Sequence, residues 1–163
     1  MKRKLLMAVA TVALTFLIFP NAALLAQASA PNQTDLVVEK ASKYTFVETV
    51  DRLTAEAKER AWNIPVIHDL QKSLAKAGKN VNPVTVIEIC KPEYSGQILE
   101  LNYERMISVM MPCRISVYEK TDGKTYVSLI DGAAMAKNMP ENIKNVMIAA
   151  SDEIFEIVKK VTD

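Results

Sequence analysis

A hairpin signal in the second half of the chain is the feature that most constrains the fold. Two runs rich in apolar and β-branched residues, over residues 113–119 and 124–130, flank the tetrapeptide Lys120–Gly123. Its Asp-Gly pair suits the positive φ angles that a tight hairpin turn requires. We therefore expect two adjacent antiparallel strands, so that any sheet containing them is at least partly antiparallel.

Strands and helices alternate along the rest of the chain. Strands are predicted over residues 44–47, 64–68 and 84–90, and the last of these is apolar enough to be central. Helices are predicted over residues 48–62, 70–77, 92–103 and 140–160, with a helical turn over residues 133–137. The resulting order is β-α-β-α-β-α-β-β-α. It predicts an α+β fold with a mostly antiparallel sheet and helices packed on one face.

The N-terminal segment has the pattern of an export signal. A basic stretch, Lys2–Lys4, precedes an apolar run over residues 5–19, and small residues follow at positions 26–30. This order is typical of a secretory signal peptide, with cleavage after Ala28 or Ala30. The alternative is an uncleaved anchor, since the apolar stretch approaches the ~20 residues that span a membrane. We expect a periplasmic or secreted protein that touches the membrane only through this segment.

Removal of residues 1–30 leaves a short tether over residues 31–41 and a single domain over residues 42–163. The loss of three basic residues changes the charge balance to 17 Lys and Arg against 19 Asp and Glu. Such a slightly acidic chain lacks the clustered positive charge that phosphate backbones attract. The composition therefore argues against a nucleic-acid partner.

Two cysteines lie beside prolines at the edges of predicted strands. Cys90 ends the strand over residues 84–90, and Cys113 begins the first strand of the hairpin. If these strands are antiparallel neighbours, the two Cβ atoms can approach within the ~4 Å that a disulfide needs. An exported protein would favour the disulfide. Two inert buried thiols, or a thiolate pair acting in metal binding or redox chemistry, remain open alternatives.

The segments 84–92, 111–119 and 65–70 together resemble the family known as domain of unknown function 302. The resemblance extends from about Ser42 to the C-terminus. It implies a β-α-β-β-β-β-α core similar to that of the TATA-box-binding protein, with short helical insertions, and a homodimer. It implies no activity, because the family has no agreed one.

His68 is the single histidine of the chain. It lies where a predicted edge strand gives way to a helix that Asp69 could cap. An imidazole there could serve as an axial ligand of haem, or could bind a metal together with Cys90 and Cys113. A hydrogen-bonded structural histidine is the competing interpretation.

Methionines form a third signal. Six of the eight follow the signal segment, and five of these lie in two clusters: Met106, Met110, Met111, Met135 and Met139. Thioethers suit Cu(I) or an axial position on haem, although methionines more often fill irregular cores. Trp62, at the end of the first predicted helix, is expected to be a core anchor. Glu88 is expected to face solvent, with a buried pairing to Arg114 as the alternative.

The chain contains none of the glycine-rich phosphate loops or catalytic motifs that sequence alone can recognise. We therefore expect a ligand-binding protein rather than an enzyme, with its pocket between the His68 strand and residues 106–113, and the resemblance implies that it is a homodimer. The first ligand to consider is haem, contacted by His68, Met110, Met111 and Cys113. One alternative is a redox or copper-handling protein that uses Cys90, Cys113 and the methionines. The other is an interaction module with a structural disulfide.

Overall fold

A five-stranded antiparallel sheet organises the fold. The structure is a computed structural model, and it describes residues 36–163. The predicted signal peptide and its cleavage sites lie outside these residues. The strands are β1 Val37–Ala41, β2 Ile67–Asp69, β3 Val84–Ile89, β4 Cys113–Glu119 and β5 Thr125–Ile130. The α-helices are α1 Phe46–Glu59, α2 Leu70–Lys76, α3 Pro92–Leu99, α4 Gly132–Met135 and α5 Glu141–Thr162. Two 3₁₀ segments, Glu104–Met110 and Ala136–Asn138, complete the list.

The strand order is β1-β5-β4-β3-β2, and every neighbouring pair is antiparallel. The predicted hairpin is therefore present as β4 and β5, with Val117 opposite Val127. Gly123 takes a φ of 74° in its turn, a conformation that the absence of a Cβ permits. The predicted α+β class with a mostly antiparallel sheet is confirmed.

One face of the sheet carries the hydrophobic core. Alternate residues of the three central strands are almost fully buried, as the period of two requires: Ile87, Ile89, Ile115, Val117, Val127 and Leu129. Leu53 and Ala57 of α1 join them, as do Ile154, Ile157, Val158 and Val161 of α5. Burial of each large aliphatic side chain contributes about 1.5–3 kcal/mol. The two longest helices thus cover one face of the sheet, as the sequence predicts.

Helix α1 begins two residues and ends three residues earlier than predicted. Local contacts at its start and backbone geometry at its end account for the difference. At its start, the Thr45 side chain accepts a hydrogen bond from the Glu48 N–H, and the Glu48 carboxylate bonds the Thr45 N–H. This capping box makes residues 44–47 a helix start rather than the predicted strand. At its end, Ala61 takes a φ of 60°, which a continuing right-handed helix does not allow.

The folded region also begins earlier than predicted. Residues 37–41, assigned by sequence to the tether, form edge strand β1, in which Val37 lies opposite Ile130 of β5. The alternation of exposed and half-buried residues in β1 is that of an edge strand with one face against the protein. Pairing with β5, rather than strand propensity alone, therefore orders this segment.

Of the next two helices, α2 agrees with the prediction to within one residue and α3 is shorter than predicted. Asp69 caps α2 as predicted, since its carboxylate accepts a hydrogen bond from the Lys72 N–H at 2.8 Å. The helix predicted over residues 92–103 ends at Leu99, and the chain continues into the 3₁₀ segment Glu104–Met110. Within residues 36–163, no helix combines the length and the apolar character needed to cross a membrane.

Candidate functional site

A cavity of about 290 Å³ opens where strands β3 and β4 meet helices α3 and α5. Ile89 at the end of β3 and Cys113 at the start of β4 lie opposite each other and form its sheet wall. The side chains that line it are mostly apolar, and the 3₁₀ segment Glu104–Met110 contributes Ile107, Val109 and Met110. The site is thus an apolar cavity beside the core rather than a polar cleft.

Both cysteines line this cavity. Cys113 pairs with Ile89, and Cys90 follows directly and forms a bridge to Asn63. Both carry free thiols in this structure, so the disulfide that the sequence allows is not formed in it. Burial raises the pKa of the Cys113 thiol, and the nearby Cys90 raises it further. Cys113 is therefore a protonated thiol near neutral pH rather than an activated nucleophile.

Four of the six methionines within residues 36–163 line the cavity, and Met106 and Met139 do not. Met110 and Met111 line the cavity, together with Met135 and with Met147, which lies outside the two methionine clusters of the sequence. Met106 points outward instead, with 73% of its surface exposed. A 3₁₀ segment has about three residues per turn, so positions four apart do not share a face as they do in an α-helix. The structure therefore brings two thiols and four thioethers to one cavity.

A carboxylate behind the cavity wall bonds three of its residues. Glu153 of α5 accepts hydrogen bonds from Trp62 Nε1 at 2.8 Å, from Tyr94 Oη at 2.9 Å and from Lys91 Nζ at 2.9 Å. Burial on its own would raise the pKa of Glu153, but the bonds from Lys91, Trp62 and Tyr94 outweigh it and hold that pKa below its ordinary value. Burial, and then the bond to Glu153, raise the pKa of Tyr94 to about 12. The network keeps Trp62 and Lys91 fixed in the cavity wall.

His68 does not line the cavity. It lies opposite Val86 on the face of the sheet that the core does not cover, and its Nε2 lies 3.0 Å from Glu88 Oε1. The predicted pocket between the His68 strand and residues 106–113 is therefore wrong, because alternation along β2 turns the imidazole to the other face. Glu88 faces that open side but is only 13% exposed, since it contacts both His68 and Arg114.

The predicted metal set of His68, Cys90 and Cys113 does not assemble either. Across residues 36–163, no three side chains of His, Cys, Asp or Glu lie close enough together to hold a metal ion. The two cysteines share the cavity, and His68 is separated from them by the sheet. Any metal bound there would need methionine sulfur as a further ligand.

The sequence matches a family model over residues 38–161, and the description of that family is "Domain of unknown function DUF302". The chain belongs to the DUF302 family. The predicted resemblance is therefore confirmed, and it begins four residues earlier than the sequence suggested. The match includes both cysteines and the whole cavity.

A solved DUF302 structure has the same fold. It is the crystal structure of an uncharacterized conserved DUF302 protein from Bacillus stearothermophilus, with a TM-score of 0.70 and 16% sequence identity. The alignment covers 77% of this chain and 98% of that one. At this identity the similarity establishes the fold alone.

One curated protein is similar in sequence to part of this DUF302 chain. "Fluoride-specific ion channel FluC 1" of Brucella suis biovar 1 (strain 1330) is 27% identical over 96 residues, which are 59% of this chain. The matched segment spans only 37% of that protein. The ion channel activity is thus a property of a considerably longer protein.

Sequence reasoning missed two residues that line the DUF302 cavity and one that supports its wall from outside the lining. Ser151 lies on the inward face of α5, Gly132 begins α4 beside it, and Glu153 fixes Lys91. Only the helical period of α5 could have indicated Ser151, because it follows Met147 by four residues and therefore lies on the same side of the helix. Nothing in the sequence links Glu153 to Lys91, which lies 62 residues earlier.

Proposed function

We propose that the protein is an exported ligand-binding protein, rather than an enzyme, whose ligand occupies the cavity beside Cys90 and Cys113. One observation carries the proposal, namely a cavity of about 290 Å³ lined mostly by apolar side chains. Ligand sites are typically concave and mostly apolar, with a few polar groups that orient the ligand. The volume lies just below the range of about 300–1,000 Å³ for drug-sized ligands, so the cavity suits a small one.

The position of the histidine argues for a small ligand rather than haem. A haem bound through His68 would lie on the open face of the sheet, away from Met110, Met111 and Cys113. The imidazole there already bonds Glu88. The proposal therefore places the ligand in the cavity and assigns His68 no contact with it.

The single tryptophan of the chain makes this proposal testable without labels. Trp62 is 3% exposed and lines the cavity, so its fluorescence should change when the cavity is filled. We expect toluene, a probe of suitable size and apolarity, to give a saturable change. Ala150→Phe, which fills the cavity from α5, should abolish it.

Ala149→Phe is the matched control, because Ala149 is exposed on the same helix and does not line the cavity. His68→Ala should leave the titration unchanged as well. A response that persists in Ala150→Phe, or one that is lost in His68→Ala, would contradict the proposed site.

A second candidate is copper handling, which the convergence of Cys90, Cys113, Met110 and Met111 favours. Thiolate and thioether sulfur are the ligands that Cu(I) prefers. Because the pKa of Cys113 is raised, Cu(I) would have to displace its proton, and affinity should increase with pH. Titration with Cu(I) against a competing chelator tests this, with loss of binding expected in Cys113→Ser and in Met110→Leu but not in Met106→Leu. Equal Cu(I) affinity in all three variants would exclude this site.

A further inference from the structure

One buried hydroxyl of the cavity has no hydrogen-bond partner. Ser151 is 5% exposed and lines the cavity from α5, yet its Oγ bonds to no other group within residues 36–163. Helical serines commonly bond the carbonyl four residues earlier, and Ser151 does not bond that of Met147. A buried polar group without a partner is costly, so it calls for an explanation.

Gly132 lies beside this hydroxyl and, having no side chain, leaves the space next to it empty. A Cβ at position 132 would lie 3.3 Å from Ser151 Cβ and 3.5 Å from Ser151 Oγ. Asp131 fixes the start of α4 there, since its carboxylate accepts a hydrogen bond from the Ala134 N–H at 2.9 Å. Any side chain at position 132 would therefore crowd Ser151, and glycine leaves its hydroxyl open to the cavity.

The cationic side chains of the cavity wall are already neutralised. Lys91 bonds both carboxylate oxygens of Glu153, at 3.0 and 2.9 Å. Arg114 lies 3.6 Å from Glu88, and its side chain is 64% exposed, which places its charge toward solvent. The rest of the wall is mostly apolar, so it offers no unpaired charge to a ligand. An ionised ligand would lose its hydration without gaining a counter-ion.

We propose that the ligand is an uncharged, largely apolar small molecule whose one polar group hydrogen-bonds Ser151 Oγ. This inference rests on the proposed function, because it names the class of ligand that the same cavity takes. A serine hydroxyl both donates and accepts, so a hydroxyl or a carbonyl oxygen on the ligand would satisfy it. Ser151 would then select among ligands of equal size by their polar group.

Phenol and toluene test the inference, because they have similar shapes and differ in a hydroxyl. We expect the purified protein to bind phenol about fivefold to tenfold more tightly than toluene in calorimetric titrations, as one net hydrogen bond allows. Ser151→Ala should remove this preference by weakening phenol alone. Its melting temperature without ligand should be equal to or above that of the parent, since an unsatisfied hydroxyl has been removed.

Ser95→Ala is the matched control. Ser95 also lines the cavity, but its Oγ already bonds the Lys91 carbonyl at 3.3 Å. It should therefore leave the ratio of phenol to toluene affinity unchanged.

The outcomes separate the two proposals. Toluene binding without a phenol preference, or a preference that survives in Ser151→Ala, would overturn the inference and leave the cavity as the ligand site. A lower melting temperature in Ser151→Ala without a phenol preference would indicate a bound water as the hydroxyl's partner and would overturn it too. Failure of both probes to bind the parent would overturn the proposed function, and the inference with it.

Discussion

At the scale of single residues, the cavity depends on a few polar groups set in apolar surroundings. Glu153 accepts hydrogen bonds from three side chains, and these bonds hold Trp62, Lys91 and Tyr94 against one another. Trp62 and Tyr94 also pack with ring centroids 5.8 Å apart. One carboxylate thus fixes an aromatic pair and a largely buried ammonium group in the cavity wall.

We expect Glu153→Gln to destabilise the protein by about 1–3 kcal/mol, because it removes charge-assisted hydrogen bonds and leaves Lys91 without its closest carboxylate. Urea denaturation at neutral pH measures this. Glu156→Gln, which removes an exposed carboxylate paired with Lys159 on the same helix, should change the unfolding midpoint little. Equal effects of the two variants would refute the role assigned to Glu153.

The same comparison has a pH dependence with a defined sign. The pKa of folded Glu153 lies below its ordinary value of 4.5, so its stabilising contribution is present above about pH 4.5 and is lost as the pH falls. The difference in unfolding free energy between the parent and Glu153→Gln should therefore shrink on acidification below pH 4.5. A difference that stays constant down to pH 3 would contradict the lowered pKa.

Cys113 should react slowly with alkylating reagents. Burial, and to a smaller extent Cys90, raise its pKa above 9.0, so little thiolate is present at neutral pH. In Cys90→Ser, the iodoacetamide rate at Cys113 should rise with pH through a midpoint above that of an exposed thiol. In the parent this midpoint should lie higher still. A midpoint well below that of an exposed thiol would show an activated thiol and would favour redox chemistry.

At the scale of elements, the end of α1 is decided by backbone geometry. The Trp62 N–H bonds the Ala57 carbonyl at 2.9 Å, and the Ala61 N–H bonds the Lys58 carbonyl at 3.0 Å. These two bonds form a Schellman motif, whose left-handed position is usually occupied by glycine. Here alanine occupies it, and the turn it makes delivers Trp62 to the cavity wall.

We expect Ala61→Gly to stabilise the protein by about 0.5–1 kcal/mol. The left-handed conformation costs alanine about 1–2 kcal/mol, and glycine adopts it without that cost. Glycine also makes the unfolded chain more flexible, which offsets part of the gain. Ala55→Gly, in the exposed middle of the same helix, should instead destabilise it by about 1 kcal/mol. Thermal and urea unfolding of both variants measure the difference. Destabilisation by both substitutions would argue against the left-handed conformation at position 61.

At the scale of the whole molecule, the helices cover one face of the sheet and leave the other to polar and mixed contacts. That open face carries His68 and Glu88 at one edge, and the stacked rings of Tyr118 and Tyr126 with Lys120 near the other. Antiparallel sheets tolerate such a face because their side chains alternate between two environments. Export and the homodimer stay predictions at this scale.

Native mass spectrometry of protein secreted from its own signal addresses both predictions. Under denaturing conditions, the measured mass should be that of a chain beginning at Ser29 or Pro31, as cleavage after Ala28 or Ala30 requires. Under native conditions the mass should double. A chain that retains residues 1–30 would show an uncleaved anchor, and a native mass equal to that of one chain would exclude the homodimer.

The sequence by itself determined the class of fold, the family and the order of the elements from α1 onward. The hairpin turn, the Asp69 cap and the apolar stripe of α5 are local signals, because each arises from residues that are neighbours along the chain. The end of α1 could not be predicted in the same way, since alanine at position 61 carries none of the glycine signal that usually marks such a turn.

Only the tertiary structure decided the candidate site. Strand pairing placed Cys90 and Cys113 in one cavity, and alternation along β2 turned His68 to the opposite face. Glu153 met Lys91, and Ser151 met Gly132, only because α5 packs across the ends of distant elements. These contacts depend on side-chain direction and on long-range packing, which a single sequence does not encode in any local pattern, whereas the helices and strands that carry them follow from periodicity.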